Sequence, residues 1–174
     1  MLWLVILSGE LCSGKTTLAV GIAANLDAEV VAARDIIRRG RQLSRSELQD
    51  EGQKLEADTG GTWVADGIRS LVGDRARSIV FDSARTPGQL EALRGFAGFD
   101  VLRVHLAASE AVRRTRFDGR ADPADQGADF DAVDAREPAE HEGVMGARTD
   151  LNLDTSSLTP AEVLRRSLDV LAAD

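Results

Sequence analysis

Short, nearly continuous apolar runs alternate along the chain with longer stretches in which apolar residues recur every three or four positions. Runs without polar alternation are what strands look like when both faces of a sheet are covered, and the longer stretches are amphipathic helices. The runs predict strands near Leu2–Leu7, Glu29–Ala33, Ser78–Asp82, Val101–Leu106 and Leu151–Asp154. Strands alternating with helices in this way predict an α/β fold, a parallel sheet joined by crossover helices. The first helix should begin at Gly14–Lys15 and lay Leu18, Ile22 and Leu26 along one stripe. The last should begin at Thr159-Pro160-Ala161-Glu162, a capping residue followed by Pro at the first helical position and a Glu three residues on.

Two stretches fall outside the alternation. Residues 34–76 are too long for one crossover and predict a helical insertion between the second and third strands. Residues 117–138 are rich in Asp and Gly and poor in apolar residues, which predicts a mobile loop. The 174 residues otherwise make one domain, 1–174, without internal repeats.

Composition narrows the picture. Hydrophobic residues at 43% and charged residues at 29% belong to a globular chain, and no apolar run approaches the roughly 18 residues of a membrane span. The opening Met1–Leu7 run has no basic leader and reads as a buried strand. A net charge of −8 argues against a broad nucleic-acid surface. A single cysteine, Cys12, allows no internal disulfide or Cys-based metal site and suits a reducing cytoplasm. Of 21 basic residues only Lys15 and Lys54 are lysine. Expected partners are a small-molecule substrate and, at most, a second copy of the chain, with no nucleic acid and no membrane.

Gly9-Glu10-Leu11-Cys12-Ser13-Gly14-Lys15-Thr16 fits G-x-x-x-x-G-K-[ST] and stands between a predicted strand and a predicted helix, the context a phosphate-binding loop requires. Gly9 and Gly14 let the backbone curl so that amides, with Ser13 and Thr17 alongside, face phosphate oxygens. Lys15 supplies a point charge to the outer phosphates, and Thr16 offers a hydroxyl to Mg2+. ATP with Mg2+ is the expected donor. Cys12 inside the loop reads as a small spacer.

Asp82 ends the third predicted strand, where a carboxylate beside a phosphate loop can hold a water on Mg2+. Arg85 leaves the same strand end, where its planar fork can grip a phosphate. Gln89 carries a donor and an acceptor suited to a nucleobase edge. The stretch Asp82-Ser83-Ala84-Arg85-Thr86-Pro87-Gly88-Gln89 resembles the D-G-x-P-R-T-x-x-Q segment of adenylate kinases and related nucleoside monophosphate kinases, one residue shorter between the Asp and the Arg, with Ser83 in place of the family glycine and Ala84 in place of its proline. Arg34-Asp35-Ile36-Ile37-Arg38 is similar to their G-D-[LM]-[LI]-R, with Arg34 in place of Gly. The resemblance places Asp35 and Arg38 at the acceptor. It also implies a three-layer α/β/α P-loop NTPase fold with five parallel strands ordered 2-3-1-4-5.

The insertion, with Ser44-Arg45-Ser46-Glu47-Leu48-Gln49 and then Gly60-Gly61-Thr62-Trp63, resembles phage-type deoxynucleoside monophosphate kinases and archaeal kinases similar to dephospho-coenzyme A kinase. Arg45 could then touch an acceptor phosphate, and Trp63 could stack on a base or pack in the core. On a helix Arg113, Arg116 and Arg120 fall at i, i+3 and i+7, a row of like charges that a triphosphate would reconcile. With Arg136 beyond the Asp-rich loop, the row resembles the lid of the same kinases, and Arg116, Arg120 and Arg136 are the candidates to close over the transferring group.

Lys15, Mg2+ and arginines suffice to move a phosphoryl group onto another phosphate, since the transition state asks mainly for positioning and neutralisation. The expected reaction is therefore γ-phosphoryl transfer to a nucleoside or deoxynucleoside monophosphate. Two alternatives stand beside it: a kinase of a small hydroxyl acceptor, such as dephospho-coenzyme A or an antibiotic, with Asp35 as base, and a nucleotide-binding switch without an acceptor. His105 reads as a core residue, and His141 shows no partner pattern.

Overall fold

The computed structural model describes residues 1–73, 77–119, 129–135 and 144–173, apart from the side chains of Arg45 and Ser46. Its strands are β1 (Trp3–Gly9), β2 (Glu29–Ala32), β3 (Ile79–Asp82), β4 (Asp100–Ala107) and β5 (Leu151–Asp154). They form one parallel sheet in the order β2-β3-β1-β4-β5, as expected. Its helices include α1 (Lys15–Leu26), α2 (Ala33–Arg38), α3 (Arg45–Thr59), α4 (Trp63–Val72), α5 (Pro87–Leu93), α6 (Glu110–Asp118), α7 (Phe130–Asp134) and α8 (Pro160–Leu171).

Central β1 explains why the apolar runs show no alternation. Its odd residues Trp3, Val5 and Leu7 pack with Leu18 and Ile22 of α1 and Val163 and Leu171 of α8. Its even residues Leu4 and Ile6 pack with Ile36, Val64, Ile68, Leu90 and Leu93 from α2, α4 and α5. Leu4, Val5, Ile6 and Leu7 are fully enclosed, so each face of the strand must be apolar.

The register brings the carboxyl ends of the strands to one edge. Leu7 pairs with Asp82, and Asp82 pairs with Ala32, so the exits of β1, β2 and β3 lie side by side. The loops bearing the candidate residues leave from that edge.

Insertion helices α2, α3 and α4 occupy residues 33–72. Ser44 and Glu47 form a reciprocal capping box at the start of α3, as Thr159 and Glu162 do for α8. Backbones approach closely at two places. A Cβ on Gly67 of α4 would collide with Ile36 of α2, and one on Gly88 of α5 would collide with the Gly60 carbonyl oxygen. The first contact ties the insertion helices together and the second ties the insertion to α5.

The described parts of the stretch expected to be a mobile loop, residues 117–119 and 129–135, are largely helical. Phe117 and Asp118 complete α6, and α7 is docked against it: Phe130 and Val133 are buried with Phe117 and Leu11. Asp129 caps α7 by accepting from the Ala132 amide. Residues 120–128 and 136–138 lie outside the described residues.

Candidate active site

The phosphate loop has the curled backbone its glycines predict. Gly9 (φ 135°), Cys12 (φ 59°) and Gly14 (φ 103°) all take left-handed conformations. A Cβ on Gly9 would run into the Leu106 carbonyl, which fixes glycine there for a second reason. Left-handed Gly14 opens α1, whose first turn carries no acidic residue and no side-chain cap. That leaves a helix terminus with its partial positive charge directed at the loop.

Three observations test whether this loop suits a nucleotide with its metal. The Ser13 hydroxyl is buried and has no hydrogen-bond partner among the described residues. Lys15 turns its ammonium back onto the Gly9 and Glu10 carbonyls, each at 2.6 Å, so it caps the loop from within. The Thr16 hydroxyl donates to Asp82 Oδ2 at 2.9 Å, which brings two oxygen ligands to one point. Oxygen donors of this kind suit Mg2+. Thr17 is exposed in the first turn of α1.

Asp35 lies in the first turn of α2, three residues after Ala32, the strand residue paired with Asp82. Asp35 and Arg38 are one turn apart, while their neighbours Ile36 and Ile37 anchor α2 in the core. Neither Asp35 nor Arg38 makes an ion pair among the described residues. Arg85 is exposed on the loop that follows β3. That loop is held residue by residue: Ala84 N donates to Leu7 O, Arg85 N to Gln89 Oε1, and the Thr86 hydroxyl to Glu56. The Arg45 side chain lies outside the described part.

Gln89 is committed internally, against the base-reading role expected of it, and Trp63 takes the core position of its two expected alternatives. Gln89 is 4% exposed, with its carbonyl on Arg85 N at 2.8 Å and its amide on Glu56 Oε2 at 2.8 Å. Trp63 is 7% exposed, packs in the core and donates its indole N–H to the same Glu56 oxygen at 3.0 Å. The core alternative for Trp63 is the one the structure shows. Glu56, unmarked in the sequence, is the acceptor that Trp63, Thr86 and Gln89 share.

The arginine row divides as well. Arg113 is 6% exposed and paired with Asp134 and Glu10, so it does not face a phosphate. Burial works against its charge, but the Asp134 hydrogen bonds and the two carboxylates hold its pKa above the usual value. Arg116 reaches under the phosphate loop, donating to the Cys12 carbonyl at 3.2 Å and to the Thr155 hydroxyl and carbonyl. Thr155 in turn donates to the Ser13 carbonyl at 2.9 Å. It follows β5 directly, and no local pattern singles it out. Arg120, Arg136 and His141 lie outside the described residues. His105 is buried, with Nδ1 3.0 Å from the Ser8 hydroxyl, and desolvation pushes its pKa below the usual imidazole value.

The phosphate loop, the strand order and the helical insertion together define a P-loop kinase fold. A family model described as an AAA domain matches residues 4–137, and the chain belongs to that family. Comparison with curated proteins gives no match. Solved structures share the fold. A shikimate kinase from Acinetobacter baumannii, in complex with shikimate, aligns over 99% of this chain and 94% of its own at 13% identity, with a TM-score of 0.66. A gluconokinase from Sinorhizobium meliloti 1021 aligns over 98% and 92% at 19% identity, with a TM-score of 0.65. A sugar kinase from Janibacter sp. HTCC2649 aligns over 99% and 95% at 20% identity, with a TM-score of 0.54.

Proposed function

We propose that the protein transfers the γ-phosphoryl group of ATP to a hydroxyl of a small molecule, with Asp35 as the general base. The commitment of Gln89 carries this reading. It is buried, with its carbonyl accepting from Arg85 N and its amide donating to Glu56, so both ends of the side chain are turned to the protein interior and not to a nucleobase. Trp63, the other expected base contact, is enclosed as well. The similarity in fold to kinases named for shikimate, gluconate and sugars supports the same choice.

A hydroxyl acceptor must lose a proton, which a phosphate acceptor need not. Asp35 stands at the common strand edge, one turn from Arg38, and its carboxylate could take that proton as the new P–O bond forms. Lys15 would meet the outer phosphates once released from the Gly9 and Glu10 carbonyls. Mg2+, held by Thr16 and through Asp82, would neutralise charge on the transferring group. Arg38 and Arg85 would orient an acceptor that carries an anionic group. Lid closure by Arg120 and Arg136 belongs to the same proposal.

Acceptor-dependent ADP release from Mg·ATP tests the reading. A panel should hold polyols, sugar acids, shikimate, hydroxyl-bearing antibiotics and the nucleoside monophosphates. Turnover on a hydroxyl acceptor, lost by about 10²- to 10⁴-fold in Asp35→Asn, is the expected result. Turnover on monophosphates alone would restore a nucleotide acceptor, and acceptor-independent hydrolysis would favour a switch.

A further inference from the structure

Four consecutive residues of the phosphate loop are gripped from one side. Glu10 Oε2 accepts from the Ala108 amide at 3.0 Å, and Oε1 lies 3.4 Å from Arg113 Nη2. Leu11 is buried among Phe117, Phe130 and Val133, with Cys12 packed against them. The Cys12 carbonyl accepts from Arg116 and the Ser13 carbonyl from Thr155. Phe117 and Phe130 meet edge to face at 5.6 Å, so the apolar group under the loop is itself α6 against α7. The rim of the phosphate loop is therefore built on the α6–α7 pair.

One contact in this arrangement joins α7 to the loop through charge. Arg113, nearly enclosed, forks onto both oxygens of Asp134 with Nη1 and Nη2, and the same Nη2 faces Glu10. A buried guanidinium cannot exchange a lost partner for water, so its remaining carboxylate must take up the difference. The Glu10 backbone is placed to transmit any shift. Its carbonyl accepts from Ser13 N at 3.2 Å and from Lys15 Nζ, so both the curl of the loop and the position of its lysine depend on it.

We infer that Glu10, Arg113 and Asp134 form a positioning relay, through which docking of α7 sets the shape of the phosphate loop and hence its affinity for the donor nucleotide. None of the three touches the nucleotide, and each acts through the loop backbone. An internal control lies one residue along: Arg114 forks onto Asp131 across the same helix pair, but its carboxylate partners are Asp131 and Glu110, neither of them in the loop. Docking strength alone would make the effect of each pair on nucleotide binding follow its effect on stability, which is larger for the buried Arg113 pair than for the more exposed Arg114 pair. A relay makes only the Arg113 pair matter to nucleotide.

The inference rests on reading residues 9–16 as the donor loop, and the probe is Mg·AMP-PNP titrated calorimetrically into the full chain. Glu10→Gln and Asp134→Asn should each weaken binding by about tenfold, and the double variant by no more than about tenfold, because both act through Arg113. Arg113→Lys, which keeps the charge and loses the fork, should behave as they do. Asp131→Asn should stay within about twofold of the unaltered protein, even where its melting temperature falls. Thermal melts of every variant confirm that folded protein is titrated. If the unaltered protein does not bind the probe, the donor reading fails and the relay with it. If it binds, but Glu10→Gln and Asp134→Asn stay within twofold, or Asp131→Asn weakens binding as much as Asp134→Asn, or the double variant multiplies the single effects, the relay alone is overturned.

Discussion

Removing the Glu56 carboxylate should loosen the acceptor side of the molecule as a unit. Its oxygens accept from the Trp63 indole, the Gln89 amide and the Thr86 hydroxyl, which joins α3 to α4 and α5 at one point. Hydrogen bonds to a charged group contribute about 1.5–3 kcal/mol each, and donors left buried without a partner cost a similar amount. Glu56 is itself half-buried, and its carboxylate loses hydration on folding, so the net loss in Glu56→Ala should be about 2–4 kcal/mol, well below the simple sum. For a chain of this length, that lowers the melting temperature by about 5–15 °C. Glu56→Gln keeps one acceptor oxygen but turns an amide toward a donor, and it should fall about halfway between. Urea unfolding followed by far-UV circular dichroism gives the stability. Tryptophan emission reports on the Trp63 environment, which should become more polar in both variants. A Glu56→Ala protein within about 0.5 kcal/mol of the unaltered one would show that these contacts carry no net stability.

Other variants separate the remaining roles. Lys15→Ala should cut phosphoryl transfer by about a hundredfold or more while the melting temperature changes little, since the carbonyls its ammonium meets, those of Gly9 and Glu10, belong to the loop it serves; an unchanged rate would remove it from the donor site. Gly61→Ala must combine a φ of 95° with a collision against the Gly88–Gln89 backbone, whereas Gly40→Ala has φ 79° and open space. The first should cost about 3 kcal/mol or more and the second about 1 kcal/mol, read from urea midpoints, and equal losses would contradict the packing. Asp150 has its pKa held below the usual carboxylate value by the Arg103 hydrogen bonds. A depressed folded pKa adds stability above the unfolded value, near 3.9, and that stability is lost as pH falls through the folded value. Asp150→Asn should therefore destabilise at pH 7 and progressively less as pH falls below the usual carboxylate range, and a loss that does not shrink with falling pH would exclude the ion pair as the cause.

The fold was legible because its rules are local. A strand enclosed on both faces must be apolar throughout, as Leu4–Leu7 are, and a helix opened by Thr159-Pro160 with Glu162 announces its own cap. Ser44 and Glu47 carried the same signal for α3. The phosphate loop was legible because backbone curvature, the lysine and the hydroxyl must follow one another within eight residues. What escaped depends on partners distant in sequence. Gln89 has the same two hydrogen-bonding ends whether it reads a base or braces Arg85, and only Glu56, 33 residues away, decides which. Arg113 and Arg116 shared a helical face with like charges, but Asp134, Glu10 and Thr155 use those charges to build the loop's rim. Helix α7 hid within an Asp-rich stretch, although Asp129 before Phe130 and Val133 is a cap followed by an apolar i, i+3 pair.

The central claim is that phosphate is transferred to a hydroxyl, and the product's phosphorus spectrum tests it most directly. Incubation with Mg·ATP and the acceptor that supports turnover should give, in 31P NMR, a new phosphate monoester resonance equal in amount to the ADP formed, absent with Asp35→Asn. The coupled doublets of a new diphosphate on a nucleoside monophosphate, persisting in Asp35→Asn, would contradict it.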